Sequence, residues 1–252
     1  MGISQKASPP ARGRNLPLEF KHVLDGLGRR ENVLARLSLE ERQDVLRHGV
    51  IRRYNAGQTI FTQATTHRHS YFILKGVVRA SYQSYNGRVC TVAYWTKDEL
   101  VGGPYFLNDR SMYLWSAKAV ELTDLLTISG TKLRALSLRM PSLAVAIIDA
   151  LSYKIHWFSM LLQIMATQSV EGRLAALLVG LGAAYGLETP KGLLIRHPFT
   201  QTDLAEMIGS SRQWVNHTLG HFQRSGVLSM LRGRILIRDW TALQDTLGVS
   251  GE

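Results

Sequence analysis

The sequence predicts an α+β chain in three successive parts: an antiparallel β-barrel or jelly roll, one long helix, and a compact helical region ending in a β-hairpin. Three observations predict it. Residues 51–129 carry runs of about five β-branched and aromatic residues parted by turn signals. From Pro141 onward, apolar residues recur at alternating spacings of three and four. Around Gly209 two short amphipathic segments meet, and a second strand-like pair flanks Gly233.

Taken in order, residues 1–16 form a charged, proline-containing arm without the apolar core of a signal peptide, as expected of a cytoplasmic protein. Residues 17–48 read as helical, with Ser38 and Glu41 spaced as a capping box. Turn signals follow at Asn55-Ala56-Gly57, Asn86-Gly87 and Asn108-Asp109, and the runs Val77–Tyr82 and Val89–Trp95 form a hairpin across Gly87. Residues 17–139 are thus one β-rich domain with flanking helices, and several short, regularly spaced strands point to an antiparallel barrel or jelly roll.

The helix assigned to 140–167 places Ile148, Leu151, Ile155, Phe158, Leu162 and Met165 on a heptad seam. Further apolar residues (Ile147, Trp157, Leu161) supply a second stripe, so one face can lie on its own chain and the other on a twin helix. A homodimer is expected. Residues 168–252 form the last domain: the helix SVEGRLAALLVGLGAAYGL, a Gly/Pro-rich link, ETPKGLLIRHPF, and the two segments around Gly209.

In that pair, Thr200 and Asp203 cap the first helix, Leu204, Met207 and Ile208 face inward, and Gly209 permits a tight turn. Ser211 caps the second helix, whose Val215, Leu219 and Phe222 face the core. This is the pattern of a helix-turn-helix, which presents the N-terminal part of its second helix to base edges. The outward set is Arg212, Gln213, Asn216 and His217: arginine can grip guanine, and glutamine and asparagine can pair with adenine. Trp214 stands beside them, able to touch a thymine methyl or to pack on the first helix. GVLSMLRGRILIRDW then reads as a wing whose tip carries Arg232 and Arg234 within reach of phosphates. Double-stranded DNA with a palindromic site is the expected partner, contacted by Thr200, Ser211, Arg212, Gln213, Trp214, Asn216, His217, Arg232 and Arg234.

Composition bounds the alternatives. The chain has 252 residues, enough for two domains, with 45% hydrophobic and 19% charged residues, and no run of 18 uninterrupted apolar residues, so no membrane span is expected. The net charge of +11 lies mainly outside the last domain, where 8 Lys+Arg face 7 Asp+Glu, so charge alone does not assign DNA binding there. A single Cys90 excludes an internal disulfide and any multi-cysteine iron–sulfur or zinc site, and is expected as a small buried residue of a strand. His67-Arg68-His69 has the spacing of a metal-binding barrel, but no Glu follows in SYFILKG and no His recurs before His156. The pair is expected to be exposed and solvated, with no metal site and no catalytic residues. No cofactor is predicted, haem on Cys90 or a histidine being the one left open.

The chain resembles the Crp/Fnr superfamily of transcription regulators over roughly residues 30–247. IGSSRQWVNHTLGHFQRSGVL is similar to the family's recognition segment I-G-x-S/T-R-E-x-V-x-R-x-L, SVEGRLAALL to the start of its hinge helix, and AGQTIF and YFILKGVVRASY to its barrel. The resemblance implies a cyclic-nucleotide-binding-type barrel, a dimerisation helix, a winged helix-turn-helix, and RNA polymerase as a further partner if the protein activates. It makes Arg212 the base-reading arginine, with Gln213 in place of the usual Glu and His217 where a second Arg is common. Members that bind cyclic AMP hold it with a Glu in a G-E-L/I turn and an Arg-Ser pair; here these positions read Gly102-Gly103-Pro104 and Trp115-Ser116, with Arg110 the nearest substitute if its loop shifts. The expected effector is therefore not cyclic AMP. Either a small apolar or aromatic molecule is held by Gly102, Gly103, Tyr105, Phe106, Tyr113, Trp115, Ser116, Trp157 and Phe158, or these side chains fill the barrel and no ligand exists. An effector would act through the hinge at residues 166–172.

Overall fold

The computed structural model describes residues 32–103 and 111–247. The predicted arm, the first half of the predicted 17–48 helix, and Tyr105, Phe106 and Arg110 lie outside them. The chain divides into two compact units, and the division falls within the long helix, between Lys154 and Ile155.

The first unit opens with a 3-10 turn, Val33–Ala35, and helix α1, Leu39–His48. Ser38 caps α1 as its spacing predicts: the Glu41 amide donates to the Ser38 hydroxyl at 3.2 Å while the Ser38 amide donates to Glu41 Oε2 at 2.8 Å. Eight strands follow: β1 Val50–Tyr54, β2 Thr59–Phe61, β3 His69–Lys75, β4 Val78–Gln83, β5 Val89–Trp95, β6 Leu100–Val101, β7 Ser116–Ala119 and β8 Thr123–Ser129. They form two antiparallel sheets, ordered β1-β8-β3-β6 and β2-β7-β4-β5. Of the two forms expected, the described residues make a two-sheet sandwich and not a closed barrel. The sheets meet through aromatic rings, Phe61 of β2 stacking on Tyr71 of β3 at 5.4 Å between centroids.

The β4–β5 hairpin turns at Gly87, whose φ of +81° suits glycine, and pairs Gln83 with Val89. A bulge shifts the register between Ala80 and Ser81. Beyond it Tyr82, Val89 and Cys90 are exposed, so Cys90 is not the buried strand residue expected: it lies near the hairpin's tip, beyond the reach of the core.

The outer face of the β1-β8-β3-β6 sheet supports the helices. Phe72, Leu100, Leu126 and Ile128 pack with Val45 of α1 and with Leu133 and Leu136 of α2, Gly130–Arg139. The sequence reading had no separate α2, because β8 runs directly into it; its signal is Ser129, whose hydroxyl accepts from the Lys132 amide.

Pro141 opens α3, Pro141–Thr167, the predicted long helix. Its two faces are sharply divided. Leu143, Ile147, Tyr153, Trp157, Met160 and Ile164 are buried, whereas Ile148, Ile155 and Leu162 are 63%, 63% and 71% exposed. By length and mean hydropathy alone α3 could cross a membrane. It also carries charge held by protein partners: Asp149 pairs with Arg36, and Lys154 reaches back to the sandwich. The Lys154 stem is half-buried, but its ammonium is enclosed, donating to the Leu100 carbonyl at 2.6 Å and lying 3.9 Å from the Trp95 ring centroid. Burial pushes its pKa down to about 8, against the pull of Glu99.

The second unit holds the rest of α3 and α4, Val170–Tyr185, separated by two non-helical residues, Gln168 and Ser169, within the span 166–172. Ser169 caps α4 through the Gly172 amide at 3.2 Å. Trp157 and Tyr185 meet edge to face at 6.4 Å. The last two residues of the predicted helix and the ETPKGLLIRHPF link after it form two strands, β9 Gly186–Thr189 and β10 Gly192–Ile195. Strands of four residues flanked by Pro and Gly lack the alternation by which a strand is read; their partner is distant in sequence, Leu193 and Leu194 pairing with Ile237 and Leu236. Helices α5, Gln201–Ile208, and α6, Arg212–Arg224, come next, then the wing β11 Leu228–Leu231 and β12 Arg234–Ile237, and finally α7, Trp240–Asp245. The sheet order β11-β12-β10-β9 extends the wing into four strands. Gly182 admits α7: a Cβ there would come within 2.6 Å of the Trp240 ring.

Candidate nucleic-acid interface

Local sequence fixes the α5–α6 pair. Thr200 caps α5 in a complete capping box, its amide donating to Asp203 Oδ2 at 2.8 Å and its hydroxyl accepting from the Asp203 amide at 3.1 Å. Gly209 ends the helix in the left-handed region, φ +66° and ψ +35°, which turns the chain without strain. Ser211 then caps α6, accepting from the Trp214 amide at 3.2 Å. Leu204, Met207 and Ile208 of α5 and Val215, Leu219 and Phe222 of α6 are buried, as predicted. Thr200 and Ser211 therefore spend their hydroxyls on the helix starts.

The opposite face of α6 is polar and open. Arg212, Gln213, Asn216 and His217 are exposed, and Trp214 is half-buried. Among the described residues neither Arg212 nor His217 is in an ion pair, whereas His221, one turn on, faces Glu171 of α4 at 3.4 Å. A cation without an acidic neighbour at the start of a capped helix is suited to phosphate and base edges. Asn216 does not stand alone: its Oδ1 accepts a hydrogen bond from Nε2 of Gln201, the first residue of α5, at 2.7 Å. The sequence reading assigned Gln201 no role; its only signal was its place directly after the cap residue.

The wing turns at Arg232 and Gly233, both at positive φ, +51° and +75°, the pattern of the tight turns that suit hairpins. Arg232 and Arg234 flank this tip and are exposed. Arg238, at the far end of β12, is tied to Ser229 at 3.0 Å.

The sandwich arranges its polar groups in the opposite way. Tyr113 is buried, stacked on Phe61 at 4.0 Å and edge-on to His67 at 4.3 Å, and its hydroxyl donates to the His69 carbonyl at 2.9 Å. Burial pushes the Tyr71 and Tyr113 phenols up and the His67 and His69 imidazoles down. His67 is 5% exposed, so the histidine pair is not the solvated one expected: its ring is a wall of this aromatic cluster. Gly102 and Gly103 adopt φ of +86° and +78°, and Gly103 accepts from the Ser70 hydroxyl at 2.7 Å. Ser116 accepts from the Gln63 amide at 3.0 Å, and Trp115 and Phe158 are half-buried. Among the described residues no group of three or more His, Cys, Asp or Glu could hold a metal.

Comparison with known proteins agrees with both halves of this layout. The model of the cyclic nucleotide-binding domain matches residues 51–139, and that of the Crp-like helix-turn-helix domain matches residues 172–246. The chain is 26% identical over 194 residues to the global nitrogen regulator of Synechococcus elongatus, covering 77% of this chain and 87% of that protein. It is 25% identical to the anaerobic regulatory protein of Bacillus subtilis, over 68% of this chain and 72% of that one. A CooA mutant from Carboxydothermus hydrogenoformans shares the fold with a TM-score of 0.71 at 20% identity, over 80% of this chain and 89% of its own. With a sandwich matching the cyclic nucleotide-binding domain, a long helix and a Crp-like helix-turn-helix in that order, the chain belongs to the Crp/Fnr family of DNA-binding transcription regulators.

Proposed function

We propose that the protein acts as a homodimer that reads a palindromic DNA site with two copies of α6 in successive major grooves, about 34 Å apart. The observation that carries this reading is the outer face of α3. Ile148, Ile155 and Leu162 lie along one stripe, largely exposed, with Leu151 and Phe158 half-buried beside them. Covering a Leu or Ile side chain is worth about 1.5–3 kcal/mol each, and an identical helix offers a matching seam. Arg212 and Gln213 read base edges, His217 and Trp214 contact the neighbouring edge or backbone, and Arg232 and Arg234 hold phosphates.

The sensor unit answers to a ligand other than cyclic AMP, or to none. Support comes from Gly102-Gly103 and Trp115-Ser116 where the charged anchors of cyclic-AMP-binding members would stand, and from rings of Phe61, Tyr71 and Tyr113 packed on one another. Haem bound through Cys90 is disfavoured by that residue's exposed place on the hairpin. A cytoplasmic location, and contact with RNA polymerase if the protein activates, follow from the same reading.

Selecting bound duplexes from a random pool tests it. The expected product is an inverted repeat with half-site centres one helical turn apart; failure to enrich any sequence would overturn the reading.

A further inference from the structure

Asn216 projects from the exposed face of α6 one turn after Arg212, and its amide is engaged by a residue of α5. Gln201 Nε2 donates to Asn216 Oδ1 at 2.7 Å, across the helix-turn-helix and 15 residues away in sequence. Gln201 is the first residue of α5, and the Thr200–Asp203 capping box sets where that helix begins and so the backbone position from which Gln201 reaches Asn216. An asparagine amide has an acceptor end and a donor end. With the acceptor end engaged by Gln201, the donor end, Nδ2, is the one left to face a ligand.

We propose that Gln201 is a positioning residue that makes Asn216 a donor-only reader of the major groove, a specificity device resting on the assignment of α6 as the recognition helix. In that groove guanine O6 and thymine O4 are acceptors, whereas the adenine N6 and cytosine N4 amines are donors. Asn216 oriented by Gln201 therefore selects a keto base, guanine or thymine, at the position it faces, and rejects adenine, the base that an unconstrained asparagine pairs with best. The polarity of the contact is written in α5, and the contact itself is made by α6.

The test is duplex selection with the full-length protein and with Gln201→Glu, Gln201→Ala and Asn216→Ala. A carboxylate at 201 only accepts, so in Gln201→Glu the Asn216 amide must turn its Nδ2 towards residue 201 and its Oδ1 towards DNA. The expected result is a reversal at one position of each half-site, from G or T to A or C, with a change of about tenfold in relative preference. Gln201→Ala flattens that position, Asn216→Ala flattens the same position, and the other positions, including that read by Arg212, keep their bases. If Gln201→Glu only weakens binding equally on all sequences, or if the affected position differs between the 201 and 216 variants, the positioning role is wrong although α6 remains the reader. If the unaltered protein enriches no sequence at all, the recognition assignment fails and takes this inference with it.

Discussion

The two units of the chain place polar side chains in opposite ways. In the sandwich the phenols of Tyr71 and Tyr113, the imidazole of His67 and the ammonium of Lys154 are turned inward, against rings and carbonyls of the same unit. In the winged helix-turn-helix, hydroxyls and carboxylates are used to cap helices, while Arg212, Gln213, Asn216 and His217 are left outward. A unit that must recognise an external polymer keeps its donors and acceptors on a rigid outer face. The sandwich encloses its own, so any signal it receives must compete with contacts already made.

The largest effect in breaking this contrast is expected where the chain is outward-facing and apolar. If the proposed dimer forms along α3, replacing Ile155 and Leu162 together by Glu should leave monomers in sedimentation, and lower affinity for a palindrome about a hundredfold or more, because each half-site is then bound alone. The fold should survive, since both positions are exposed. On the recognition face, Arg212→Ala should cost about 1–3 kcal/mol of binding and relax one base position, read by titration on a panel of single-base variants. Thr200→Ala removes a cap and should lower unfolding free energy by about 1 kcal/mol, seen in denaturant melts.

The smallest effect sharpens the comparison from the sandwich side. Lys154 is held at about 8 in the folded protein against 10.5 for a free lysine. Between those values the unfolded chain binds more protons than the folded one, so this residue makes stability rise from about pH 8 to 10.5 and contributes no slope well below pH 8. Lys154→Met should remove that rise, measured as the difference in midpoint of thermal unfolding between pH 8 and pH 10.5.

Legibility in the sequence follows the same divide. The helix-turn-helix was readable because caps, turn glycine and helical period are local signals: Thr200, Gly209, Ser211 and the buried Val215, Leu219 and Phe222 lie where their spacing puts them. The β4–β5 hairpin was readable for the same reason, through Asn86-Gly87. What escaped depends on partners far away in sequence. The β9–β10 hairpin is held by β12, and four-residue strands carry too little period to announce themselves. Cys90 and His67 were each assigned the wrong exposure, because Cys90 lies near the tip of its hairpin, beyond the core, and His67 is covered by Tyr113, a ring distant in sequence. The Gln201–Asn216 bond escaped because it joins two helices whose relative placement is set by the turn between them.

The central claim is that two recognition helices, joined by α3, read one site at a fixed separation. Affinity for the selected inverted repeat, measured before and after inserting five base pairs between its half-sites, tests this most directly. Half a helical turn puts the second half-site on the opposite face of the duplex, so affinity should fall to that of a single half-site. Equal affinity for both duplexes would contradict the account.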